Sequence, residues 1–285
     1  MITKAGEKTN IFGDEIAFVE EWDFSGGNLD ESSRIAAITQ VASICYQSPK
    51  ALGSESLYNR LMAESMGLPS SSFEFVPVLL DFQNPDHREA LAPEFSNARK
   101  FGELVENGRY LLTNYRALVF DYEQNKGEYS TDIRRIYNTP QEAAIIKKHF
   151  KVFLYKVDLP TRSQMVRHRV SWQELSRRYV SGKRVPFDFY ISEGMKTVES
   201  DDAINTQKII DLCVAHYFKA IDAGVKPQEA RRIIPQAAYT QIWGAFLPRQ
   251  LENYFKLRLD DHAQWEIRQT AIAMKELIRS EHPKA

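Results

Sequence analysis

Cysteine is scarce. Only Cys45 and Cys213 occur, far apart in the chain. Neither belongs to a CxxC pair or has a histidine at ligand spacing, which argues against a disulfide framework and a structural metal site. Two separated thiols suit a reducing compartment. Long apolar runs are also missing: no stretch reaches the roughly 18 residues that a membrane span needs. The opening "MITKAGEKTNIFGDE" lacks the apolar core of a secretory leader, so a soluble cytoplasmic protein is expected. There is no GxGxxG or Walker motif, which removes support for a Rossmann or P-loop nucleotide site. Internal repeats and low-complexity tracts are absent. No charge of one sign dominates, with 37 Lys and Arg against 38 Asp and Glu. That balance argues against a dedicated nucleic-acid binder.

What is present suits one large domain or two modest ones. At 285 residues and 43% hydrophobic content the chain can bury a core without staples. "RIAAITQVASICY" (34–46) has helical spacing after the capping residues of "FSGGNLDESS". "GLPSSSFEF" followed by "VPVLLDF" reads as a turn into a strand, with Pro77 marking an edge or a bulge. "TPQEAAIIKKHF" reads as a capped helix, and "FKVFLYKVDLP" sets Val152, Leu154 and Lys156 against Phe153, Tyr155 and Val157 as a strand. Amphipathic helices follow at 205–224, ended by Gly224, at "PRQLENYFKLRL", and in the last stretch, "DDHAQWEIRQTAIAMKELIRS". Strands with segregated helices predict an α+β class, a mixed sheet packed with long helices.

"RHRVSWQELSRRY" (167–179) concentrates Arg167, His168, Arg169, Arg177 and Arg178 around one acid, Glu174. Its partly helical pattern would gather several of them on one side. Arginine binds phosphate and carboxylate in bidentate fashion at any working pH. Ser176 and Glu174 add a hydroxyl and an acceptor, an inventory suited to a nucleotide. A solvated face laced with Glu–Arg pairs accounts for this segment equally well, and a lone histidine is more often structural. A second cluster favours the ligand. "ARRIIP" brings Arg231, and Arg249, Asn253, Arg258 and His262 recur at spacings of four, five and four, near one helical stripe. Asn253 carries donors and acceptors that suit a heterocycle edge.

The pattern "RHR…S…RY", then "ARxxxP…R.L.N…LR.D.HAQWEI", resembles the flavin-dependent thymidylate synthases from Phe150 to about Ile278. The resemblance implies a single domain over 1–285 with an insertion at about 82–148. It also implies a homotetramer with shared active sites, without nucleic acid, membrane or metal. FAD would be the cofactor, with NADPH and methylenetetrahydrofolate as co-substrates and dUMP methylated at C5 to dTMP. Arg258 matches the arginine that polarises the uracil ring. Gln164, Arg167, Glu174, Leu175, Ser176, Arg177, Arg178 and Arg231 match nucleotide-binding positions. Ser71, Arg167, His168, Arg169, Glu174, Arg249, Asn253 and His262 match flavin-binding positions. Three departures stand out. Six residues rather than seven separate Arg169 from Ser176, with Gln173 in place of Asn. Pro69 and Phe75 occupy the histidine positions of an upstream motif that keeps Ser71 and Glu74, with His149 a candidate substitute. Leu247 replaces an asparagine two residues before Arg249. Two alternatives are the same chemistry on UMP, or with a hydroxymethylated product, and a non-catalytic nucleotide-binding protein.

Overall fold

The computed structural model describes residues 4–63, 68–81, 95–124, 136–198 and 205–281. The parts of the expected insertion at 82–94 and 125–135 lie outside these. In chain order the strands are β1 (Lys4–Asn10), β2 (Phe18–Asp23), β3 (Pro77–Asp81), β4 (Glu103–Val105), β5 (Tyr110–Asn114), β6 (Lys151–Asp158), β7 (Ser171–Glu174) and β8 (Tyr239–Phe246). The helices that matter below are α1 (Glu31–Tyr46), α2 (Glu55–Met62), α3 (Ser96–Lys100), α4 (Tyr115–Gln124), α5 (Pro140–His149), α6 (Leu159–Met165), α7 (Glu193–Lys196), α8 (Thr206–Asp222), α9 (Pro227–Ala230), α10 (Pro248–Arg258) and α11 (Trp265–Glu281).

One sheet runs β1-β2-β6-β8-β7 and a smaller one runs β3-β5-β4. The class is α+β, as expected. The sheet is not mixed, because every pairing among the described strands is antiparallel. The alternation of β6 separates two cores. Val152 faces a cluster with α1 and the small sheet, while Phe153, Tyr155 and Val157 face a second cluster with Tyr254, Ile267 and Met274. Period-two side-chain direction is what lets one strand serve both. α1 starts where the Asp30 side chain accepts from Ser33 N and stops at Gln47 in the left-handed region (φ 48°). Pro77 opens β3, an edge strand, which is where a residue without an N–H does no harm.

The "RHR" segment does not continue as a helix. α6 ends at Met165, a turn carries residues 166–170, and Ser171–Glu174 pairs with β8 from Ser171↔Ala245 to Glu174↔Ile242. The reason is packing. Gly244 leaves room for Trp172, whose ring occupies the space a Cβ would take, 2.6 Å away. The arginines are therefore placed by a turn and a strand edge, not by a helical stripe. The last helix also begins later than its pattern suggests. Residues 260–264 form a turn in which Asp260 Oδ1 accepts from His262 N at 2.8 Å.

Candidate active site

Two segments distant in sequence meet at the turn after α6. Gln164 sits in the last turn of α6, and His168 lies buried under α10. Pro248 opens α10, and the Gln250 side chain fastens its first turn: Oε1 accepts from Leu247 N (2.8 Å) and Nε2 donates to Arg169 O (2.9 Å). Arg249, Asn253 and Arg258 then fall on the side of α10 that faces the turn, and a 370 Å³ cavity lies between them and Arg167, His168 and Arg169.

Arg258 Nε donates to His168 Nε2 at 2.8 Å, and its Nη2 donates to Gln164 O at 3.1 Å. A guanidinium can only donate, so Nε2 is the bare nitrogen of His168 and Nδ1 carries the proton. Burial, reinforced by the Arg258 charge, brings the His168 pKa down to about 4. The imidazole is neutral near pH 7 and packs 4.7 Å from the Tyr254 ring. Burial lowers the Arg258 pKa too, and the neighbouring Arg167 adds to that. Four arginines and no acid line this cavity. Arg167 and Arg169 are exposed and make no ion pair among the described residues. Arg249 pairs with Glu103 at 3.6 Å from outside the lining, and the guanidinium groups left without an acid suit an anion.

The other residues singled out in the sequence are placed as follows. The Glu174 carboxylate is held by Arg162, whose Nε donates at 2.8 Å and whose Nη2 also donates, and by Thr240 Oγ1 at 3.0 Å. Leu175 is buried, and Ser176 N donates to Cys45 O (3.1 Å). Arg177 donates to Val185 O (2.6 Å) and Pro186 O (3.1 Å) and lies 4.3 Å over Phe187, so its guanidinium braces a loop. Arg178 is exposed over Tyr179, and Arg231 is exposed in the turn after α9. Ser71 donates to Gln173 Oε1 at 2.6 Å. His262 is 98% exposed and bonded to Asp260, away from the α10 stripe its spacing suggested, because α10 ends at Arg258. His149 pairs with Glu106 at 2.7 Å, and Phe75 is core.

Three contributors gave no separate signal in the sequence. Arg162 and Thr240 fix Glu174 from α6 and β8. Gln264 takes a hydrogen bond from Gln164 Nε2 (2.6 Å) and donates to Glu266 (2.8 Å). Gln264 lies within "HAQWEI", where the run itself was the only cue.

The thymidylate synthase complementing protein family model matches residues 113–284. Relatives named flavin-dependent thymidylate synthase include one from Thermotoga neapolitana, 28% identical over 169 residues, or 57% of this chain and 74% of the relative. Another, from Thermosipho africanus, is 30% identical over 164 residues, covering 52% and 68%. A third, from Pyrococcus furiosus, is 36% identical over 116 residues, covering 40% and 47%. With the family pattern spanning more than half its length and both arginine motifs meeting at one cavity, the chain belongs to the thymidylate synthase complementing protein family of enzymes.

Proposed function

We propose that the protein is a flavin-dependent thymidylate synthase that methylates dUMP at C5 to dTMP. In this reading methylenetetrahydrofolate donates the carbon, NADPH the reducing equivalents, and FAD is the resident cofactor. The observation that supports it most is the acid-free cavity where Arg258 meets the "RHR" turn. Arg258 is held by His168 and the Gln164 carbonyl, which leaves most of its donor fork without a partner among the described residues. A cation fixed in advance stabilises charge developing on a pyrimidine ring without reorganising. The neutral His168 orients it without adding a second charge.

The donor set fits a flavin dinucleotide. Arg167, Arg169 and Arg249 match pyrophosphate, and Asn253 matches a ring edge. When bound, the flavin would supply the hydride-carrying chemistry that these side chains lack. Glu174 would orient the nucleotide from the Arg162–Thr240 cradle, next to Leu175 and Ser176. Arg178 and Arg231 line neither this cavity nor its neighbour. We place them opposite Arg258 of another protomer in a homotetramer. α8 packs beside the Arg231 turn and leaves Ile209 (51%) and Leu212 (60%) exposed, an apolar surface that supports association there. The whole chain is read as one cytoplasmic domain with 82–148 as an insertion. Among the described residues no helix is long and apolar enough to cross a membrane.

The test compares wild type with Arg258→Met. Wild type should carry a flavin spectrum that shifts on adding dUMP, and should form dTMP with reductant and methylenetetrahydrofolate. The variant should keep the flavin, lose the shift, and turn over about 10²–10³ times more slowly. A wild type that neither holds flavin nor makes dTMP sinks the reading. A shift with UMP but not dUMP moves it to the ribonucleotide.

A further inference from the structure

Glu266, Gln264 and Gln164 form a hydrogen-bonded chain beside Arg258, and its direction is fixed from one end. Glu266 lies in the first turn of α11, where a helix N-terminus favours negative charge, and its carboxylate can only accept. Gln264 must therefore turn Nε2 toward it, and donates at 2.8 Å. That leaves Gln264 Oε1 on the other side, where it accepts from Gln164 Nε2 at 2.6 Å. The free end of the chain is then Gln164 Oε1, which has no hydrogen-bond partner among the described residues. The bond to the carboxylate is charge-assisted, the stronger kind, so it sets the order for the amides that follow.

Each link is also held by its backbone. Gln264 O accepts from Arg268 N (3.1 Å), which ties it to the start of α11, and Ala263 N donates to Asp260 O (3.0 Å) in the turn before it. Gln164 sits in the last turn of α6, and its carbonyl accepts from Arg258 Nη2 at 3.1 Å. The residue that offers a bare amide oxygen is thus the one against which the Arg258 guanidinium is docked. An acceptor and a set of donors stand side by side, and such a pair reads the order of donors and acceptors along a ligand edge.

We infer that Gln264 is a positioning residue that makes the site select uracil over cytosine, by holding the Gln164 amide with its oxygen toward the base. The inference rests on the proposed activity and deepens it. Uracil carries N3–H between two carbonyl oxygens. Its N3–H can donate to Gln164 Oε1 while Arg258 donates to the oxygen beside it. With the ring held in the same register by its sugar phosphate, cytosine sets a bare N3 against Gln164 Oε1, two acceptors face to face. With the Gln164 amide reversed, Nε2 would face the base and that preference would turn over.

Full-length protein with its flavin, as wild type, Gln264→Lys and Gln264→Glu, is titrated with dUMP and with dCMP by calorimetry. The two nucleotides carry the same phosphate, so the ratio of their dissociation constants cancels any change in the charge of the site. Wild type should favour dUMP by about 10²-fold. An ammonium at position 264 can only donate, so Gln164 must turn Oε1 to it and leave Nε2 as the free end. The preference should then fall by about tenfold or more. A carboxylate there can only accept, as Gln264 Oε1 does toward Gln164, and should keep the ratio within about threefold of wild type. Gln264 is exposed, so neither change disturbs the core. A wild type without preference, one ratio shared by all three proteins, or equal losses in both variants overturns the inference and leaves the proposed activity standing. A wild type that binds neither nucleotide removes the proposed activity, and the inference with it.

Discussion

His168 ties the site to the stability of the fold through its proton. In the folded chain its Nε2 receives the Arg258 N–H at 2.8 Å, and its pKa is about 4 against an ordinary 6.5. As pH falls the unfolded chain therefore takes up this proton first, near 6.5, and the folded chain resists until about 4. The stabilisation is complete above the unfolded value and is lost as pH drops through the window between the two. The full difference is about 3 kcal/mol, of which about 2 kcal/mol is lost between pH 6.5 and 4.5. His168→Gln offers an amide oxygen to Arg258 and does not titrate. Urea unfolding of both proteins across pH 4.5–7.5, at one protein concentration, isolates the term. The wild-type advantage should shrink by about 2 kcal/mol on acidification over that window. Asp158, whose carboxyl is pushed up by burial, works in the opposite direction but is common to both proteins and cancels. Parallel pH curves would refute the tautomer and the Arg258 bond together.

Two other substitutions probe the frame. Gly244→Ala forces a methyl to within 2.6 Å of Trp172 Cζ3, so β7 must shift. It should cost about 1–3 kcal/mol in urea unfolding and weaken nucleotide binding through Glu174. Asp121→Ala removes the acceptor of two backbone N–H groups in α3. A loss of about 1–3 kcal/mol is expected, with faster amide hydrogen exchange at residues 96–105; unchanged exchange there would contradict the capping role.

Local patterns reached the elements whose faces are simple. α1, β6, α8 and α10 sit where spacing and caps put them: Asp30 and Asn205 cap α1 and α8, Pro248 opens α10, and β6 alternates between two cores. β8 escaped, since "YTQIWGAF" is buried on both sides and has no polar face to mark alternation. β7 escaped because its four residues form a strand only by pairing with β8 beside Gly244, a contact more than 60 residues away in sequence. The site followed the same division. The arginines, His168 and Asn253 stood out by type. Arg162, Thr240 and Gln264 act only through the three-dimensional neighbours Glu174 and Gln164, and no spacing encodes that.

The Glu103 bridge couples a part of the chain ahead of the family match to a part within it. One carboxylate from β4, outside the family match, holds the amino end of the helix that carries Arg249, Asn253 and Arg258. The hairpin thus acts as a tuning peg for that helix. A change of length or charge between residues 96 and 105 would tilt the arginines without altering one of them, so the ligand preference of this site can shift while its motif residues stay the same.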